Sequence, residues 1–163
     1  MSEQHNGGIR DRISGSLYGL IVGDALGCPA ESLSAAEIEE LYEGPITEMV
    51  EGAKWWRPAG LHSDDSQQAI AILDAVLADP AAAQRGFADA CVALLENGEK
   101  GFRRFGLHRG TGANFRGTVM KLKQGAPLEE AAVVTAGNGA AMRVAPLALW
   151  FRDDADALAQ AIV

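Results

Sequence analysis

Ser63-Asp64-Asp65-Ser66 sets two adjacent carboxylates between two hydroxyls, at the point where an apolar helix begins. Ala69, Ile70, Leu73, Val76 and Leu77 follow at three- and four-residue spacing, the period of a helix with one buried face. Four hard oxygen side chains on one turn suit a divalent cation such as Mg²⁺. On a helix, Asp64 and Asp65 point about 100° apart, so each can serve a different partner. Ser and Asp are also the preferred N-cap and first-turn residues of any helix, and taken alone these four need do no more than cap.

Two other groups share this chemistry. Gly23-Asp24-Ala25-Leu26-Gly27-Cys28-Pro29-Ala30-Glu31 ends a glycine-rich helix and follows it with a carboxylate. Thr135-Ala136-Gly137-Asn138-Gly139-Ala140-Ala141-Met142-Arg143 strips side chains from a helix start, so an anion or a sugar can approach the backbone N–H groups. By itself a Gly-x-Gly is an ordinary turn. The histidines do not compete: His62 reads as a loop residue beside the acidic motif, His5 lies in the polar N-terminus and His108 in a basic loop. Cys28 and Cys91 are far apart and lack metal-ligand spacing, so they read as small buried residues in a reducing compartment, with one disulfide left open.

The elements that must position these groups are helical throughout. The first helix is predicted from Ile9 to about Leu26, with Ile9, Ile13, Leu17, Leu20 and Ile21 as its apolar face. Gly15, Gly19, Gly23 and Gly27 fall four apart along it. Each costs about 1 kcal/mol in a helix interior, so the ridge predicts close approach of another helix. Ser34-Ala35-Ala36-Glu37 is a capping box for a helix to about Tyr42. The segment from Ile46 to Leu61, with its Trp55-Trp56 anchor, reads as a loop. Further helices are predicted at Asp65–Leu77, from Asp79-Pro80 to Glu96 (buried stripe Phe87, Cys91, Leu94, Leu95), and at Asn114–Gln124. Others run from Pro127 to about Thr135, from Ala140 to Phe151 with Pro146 kinking or dividing it, and from Ala155 to Val163. Gly98 to Gly112 reads as an exposed basic loop. The strands that an α/β fold needs are absent, so the class is all-α, a single domain over residues 1–163.

A chain of 163 residues can bury a real core, and 48% hydrophobic residues with a formal net charge of -8 give a globular, acidic protein. That charge argues against nucleic acid or an anionic membrane as partner. The apolar runs, about eight residues at most, are far short of a span, and the polar N-terminus lacks a signal-peptide core. A cytoplasmic location is expected. The last helix ends on Ile162-Val163, which predicts either that something downstream is missing or that an oligomer or partner chain covers that end.

Together the three groups resemble the ADP-ribosylglycohydrolase family. Gly15, Gly19, Gly23, Asp24, Ala25, Gly27 and Glu31 fit its opening helix and the glutamate after it. Ser63, Asp64, Asp65 and Ser66 stand where the family has Thr-Asp-Asp-Thr, which keeps the ligand oxygens and loses only methyl groups. Gly137 to Arg143, followed by Val144-Ala145-Pro146-Leu147, match its Gly-Asn-Gly-x-Ala-Met-Arg segment, and Arg109-Gly110-Thr111-Gly112 a glycine-containing segment before it. The resemblance implies an all-α domain with a centre of two metals, Mg²⁺ or Mn²⁺, that hydrolyses the glycosidic bond joining ADP-ribose to a protein side chain or a small molecule. It implies Ser63, Asp64, Asp65 and Glu31 at the metal, with Glu31 also able to accept the proton of the attacking water. It implies that Thr135, Ala136, Gly137, Asn138 and Gly139 hold the diphosphate and distal ribose. Phe102, Phe105 and Phe115 are candidates for stacking on adenine by position alone.

The resemblance matches the family's N-terminal half. Family members are longer and carry an Asp-x-Asp-Thr motif in their second half that supplies the remaining metal ligands. Asp154-Ala155-Asp156-Ala157 has the spacing but lacks the hydroxyl and the glycine-rich lead-in, so capping and surface roles are expected for it. From this chain alone, one weak metal site is expected. Three readings stay open: a hydrolase whose missing half is supplied by another polypeptide, a non-catalytic module that binds ADP-ribose or a related nucleotide, and a structural half-fold that oligomerises.

Overall fold

The computed structural model describes residues 8–54, 57–96, 109–133 and 137–162. Its elements are helices: α1 (Ile9–Gly27), α2 (Ala35–Tyr42), α3 (Asp64–Ala78), α4 (Ala83–Glu96), α5 (Ala113–Lys123), α6 (Leu128–Ala131), α7 (Ala145–Trp150) and α8 (Ala155–Ile162). The extended structure among the described residues is a single antiparallel bridge between Gly52 and Arg57. The all-α expectation is met, and none of these helices is long and apolar enough to cross a membrane.

Helix α3 is the centre. Ala69, Ala71, Ile72, Ala75 and Val76 along it are buried, and α1, α4 and α7 pack around it. Ala88 and Cys91 of α4, Val119 of α5 and Ala131 of α6 extend the core. Small side chains bring the backbones together. An added Cβ on Gly86 of α4 would lie 3.2 Å from the Cβ of Ala75, so this glycine is what lets α4 close on α3.

The predicted glycine seam on α1 is a correction. A Cβ on Gly15, Gly19, Gly23 or Gly27 would meet nothing within 4 Å among the described residues. No described helix lies against that ridge; instead Gly19, Gly23 and Gly27 line an open cleft. Within α1 only Ala25 is buried.

Local signals set the other boundaries. The Ser34–Glu37 capping box forms in both directions, with Glu37 N to Ser34 Oγ at 3.3 Å and Ser34 N to Glu37 Oε2 at 2.7 Å. That hydrogen bonding, with Lys54 nearby, holds the Glu37 carboxyl down to about 2. Asp79 Oδ1 accepts from Ala81 N at 3.0 Å, opening a 3₁₀ turn before α4. The helix expected from Pro127 to Thr135 is one turn, α6, because Ala132 is already extended (φ -57°, ψ 145°) and β-branched Val133 follows it. The helix expected from Ala140 is divided, with a 3₁₀ turn at Ala141–Arg143 and α7 beginning afresh beside Pro146. Asp154 Oδ1 caps α8 through Ala157 N at 2.9 Å, the role expected of it. Cys28 and Cys91 are free and buried; burial pushes the Cys91 thiol up to about 12. Trp55, Trp56, Phe102, Phe105, His108, Thr135 and Ala136 lie outside the described residues.

Candidate functional site

The N-terminal end of α3 is built from three directions. The Ser63 hydroxyl accepts from Asp65 N at 3.1 Å, so the capping reading of this serine holds. The carboxylate of Asp24, near the C-terminal end of α1, does the larger share. Its Oδ2 accepts from Ser63 N at 2.9 Å, Ser66 N at 3.0 Å and Ser66 Oγ at 2.6 Å. A carboxylate at a helix start satisfies orphan N–H groups and complements the helix dipole. Asp64 N donates to the Arg109 carbonyl at 3.2 Å, which draws in the Arg109–Gly112 segment.

That segment closes over the acids. Gly110 has φ +113°, a conformation natural to glycine, and a Cβ there would lie 3.1 and 3.2 Å from the Glu31 carboxylate oxygens and 3.3 Å from Asp64 Oδ1. Glu31 and Asp64, thirty-three positions apart in sequence, thus flank one glycine. Asp64 is 7% exposed, and its Oδ2 accepts from Gln68 Nε2 at 2.7 Å. Burial first, then the charges of Asp65 and Glu31, push its carboxyl up to about 6. Burial and Asp24 raise Asp65 as well.

Arg57 is the residue the sequence reading missed. From the far side of the bridge with Gly52, its Nη1 donates to the Cys28 carbonyl at 3.0 Å, to Cys28 Sγ at 3.0 Å and to Glu31 Oε2 at 2.5 Å. It fixes Glu31 through Oε2. Nothing local marks it, because Arg57 works on residues brought near only by folding. Burial raises the Cys28 thiol, and Arg57 partly offsets this.

The surrounding cleft has a volume of about 920 Å³. Glu31, Ser63, Asp64, Asp65 and Gly137, Asn138 and Gly139 all line it, so the sequence-predicted site residues that are described meet in one place. Of the three stacking candidates, Phe115 lines it too. His62 stands next to Ser63 without being part of that wall. Arg109 Nη1 is 3.0 Å from His62 Nε2, and His62 Nδ1 is 3.1 Å from the Ser63 carbonyl. A guanidinium only donates, so Nε2 accepts and Nδ1 carries the proton. Both nitrogens serve structure.

The family model for ADP-ribosylglycohydrolase matches residues 5–163. The chain belongs to the ADP-ribosylglycohydrolase family. An ADP-ribosyl-[dinitrogen reductase] glycohydrolase from Rhodospirillum rubrum is 31% identical over 153 residues, covering 86% of this chain and 45% of that protein. A protein from Archaeoglobus fulgidus is 30% identical over 150 residues, covering 88% of this chain and 44% of its own length. The chain therefore spans less than half the length of these curated relatives.

The carboxylates of Glu31, Asp64 and Asp65 and the hydroxyl of Ser63, all on the cleft wall, are hard oxygen donors of the kind that could hold a divalent cation. Among the described residues no three His, Cys, Asp or Glu side chains already converge as a complete cage.

Proposed function

We propose that this chain carries the acidic part of an ADP-ribosyl glycohydrolase centre, and that it takes part in hydrolysing an ADP-ribosyl glycosidic bond with Mg²⁺ or Mn²⁺. The supporting observation is the meeting of Glu31, Asp64, Asp65 and the Gly137–Gly139 turn in one cleft, with the Asp64 and Asp65 carboxyls pushed upward by burial and then by neighbouring carboxylates. The Rhodospirillum rubrum relative, an ADP-ribosyl-[dinitrogen reductase] glycohydrolase, points the same way.

In this reading Asp64, Asp65, Glu31 and Ser63 hold the cation. A divalent cation supplies charge that fixes ribose hydroxyls and acidifies water. The chain's residues do the rest. Glu31, with Oε2 held by Arg57, presents Oε1 to accept a proton from water. Asp24 keeps Ser63 and Ser66 in register, so the acids enter the cleft at a fixed angle. The turn at Gly137–Gly139 offers backbone to a diphosphate without side chains in the way. Cleavage at ribose passes through a state with positive charge on the sugar, which the carboxylates stabilise. Arginine-linked, serine-linked and free ADP-ribosyl compounds are the substrate classes to compare.

Calorimetry with Mn²⁺ and then ADP-ribose tests this reading on the wild type and on Asp64→Ala/Asp65→Ala. The double substitution is expected to weaken Mn²⁺ binding by more than about 100-fold, since two carboxylate ligands go with it. Mn²⁺ binding that survives it unchanged would remove the site assignment.

A further inference from the structure

Asp64 is held by a second set of residues, Gln68 and Arg143, on the wall of the same cleft. Gln68 lies one turn along α3, is 1% exposed, and donates through Nε2 to Asp64 Oδ2 at 2.7 Å. Its Oε1 accepts from Arg143 Nη1. Because a guanidinium only donates, the amide has one orientation: oxygen to Arg143, nitrogen to Asp64. Arg143 is anchored in turn, with Cζ 5.1 Å from the centre of the Phe87 ring on α4. A continuous set of contacts therefore runs from α4, through the end of the glycine-turn segment, to one oxygen of Asp64. The other oxygen, Oδ1, is the one that flanks Gly110 with Glu31.

We propose that Gln68, locked by Arg143, is the positioning residue of the acidic cleft: its hydrogen bond to Asp64 Oδ2 fixes the carboxylate plane and takes one lone pair of that oxygen, so that Oδ1 is the oxygen Asp64 offers first to a divalent cation. Glutamate at this position would put a second carboxylate against Asp64. Lysine would donate to Asp64 but accept nothing from Arg143. Single-oxygen ligation suits a small octahedral ion such as Mg²⁺ or Mn²⁺, whereas Ca²⁺ readily takes both oxygens of a carboxylate. Discrimination against Ca²⁺ is thus the property that this pair supplies. The inference rests on the cation-binding reading given above.

The test is calorimetric titration of the full chain with Mn²⁺ and, separately, Ca²⁺, with thermal melting of the same samples. Gln68→Met is nearly isosteric and cannot donate. Its Mn²⁺ affinity is expected to fall about 10- to 100-fold, with Ca²⁺ affinity falling less, so the Mn²⁺-to-Ca²⁺ ratio drops by about tenfold. Arg143→Lys keeps a donor and is expected to hold the ratio between those of Gln68→Met and the wild type. An unchanged ratio in a Gln68→Met protein that melts cooperatively overturns the inference and leaves the cation site standing. If Gln68→Met does not fold, Arg143→Met carries the test: freeing the amide to turn over must lower the ratio in the same direction, and an unchanged ratio overturns the inference. A wild-type chain that takes up no Mn²⁺ overturns the cation site and this inference together.

Discussion

Helices α1 and α3 are the two longest among the described residues, at 19 and 15 residues, and each brings a carboxylate to the same corner. Their surroundings are opposite. Helix α3 is buried along most of its length, and even its polar first turns are enclosed, with Ser66 at 0% and Gln68 at 1% exposure. Helix α1 leaves Tyr18, Val22 and Ile9 exposed, and a Cβ on its glycines would meet nothing within 4 Å among the described residues. The difference shows that apolar spacing and glycine repeats do not say what a helix packs against. What α1 gives the site is its last turns, where Asp24 binds the start of α3.

That contrast breaks first at Asp24. Asp24→Ala would leave the Ser63 and Ser66 N–H groups and the Ser66 hydroxyl without their acceptor, at a cost of about 2–4 kcal/mol. Urea unfolding measures it, and a loss under about 0.5 kcal/mol would mean that α1 does not hold α3 in place.

Asp64 sharpens the comparison from the α3 side. Its folded carboxyl titrates at about 6 against an ordinary 3.8, so between those values the folded chain holds a proton that the unfolded chain has lost. This group therefore makes the cation-free protein more stable as pH falls through about 6 toward 3.8, and least stable above about 6. Asp64→Asn is expected to stabilise the cation-free protein at pH 7.5 by about 1–2 kcal/mol after discounting for solvent in the cleft, while weakening Mn²⁺ binding. Melting curves from pH 4 to 8 check it. If wild type and variant differ equally at every pH, burying an ionised carboxylate among other acids at this end of α3 is not what strains it.

The smallest effects come from a pair of glycines. Gly15→Ala on α1 meets nothing within 4 Å among the described residues and should stabilise by about 0.5–1 kcal/mol through helix propensity. Gly86→Ala gains the same propensity but sets a methyl 3.2 Å from Ala75 Cβ on a packed helix. Its overpacking costs about 1–3 kcal/mol, which leaves a net loss. Equal midpoints for the two variants in urea would refute the claim that the close helix contact lies at α3 and α4 and not on α1.

Much of this was legible in the chain. Ser34 and Glu37 announce their capping box because both partners lie within one turn. Asp79 and Asp154 announce their helix starts for the same reason. The acidic pair and the glycine turn are visible as contiguous motifs, and both line the cleft. The glycine ridge misled because close packing and open space both favour a missing side chain.

Local spacing determined which segments become helices, where most of them begin, and which short motifs carry oxygen ligands and bare backbone, since those depend on hydrogen bonds and side-chain periods spanning a few residues. Tertiary structure alone decided that Asp24 serves α3, that Arg57 grips Glu31, that Gly110 sits between Glu31 and Asp64, and that Arg143 sets the amide of Gln68. Each of these contacts joins residues 26 to 79 positions apart, a distance over which sequence spacing carries no geometry until the helices have packed.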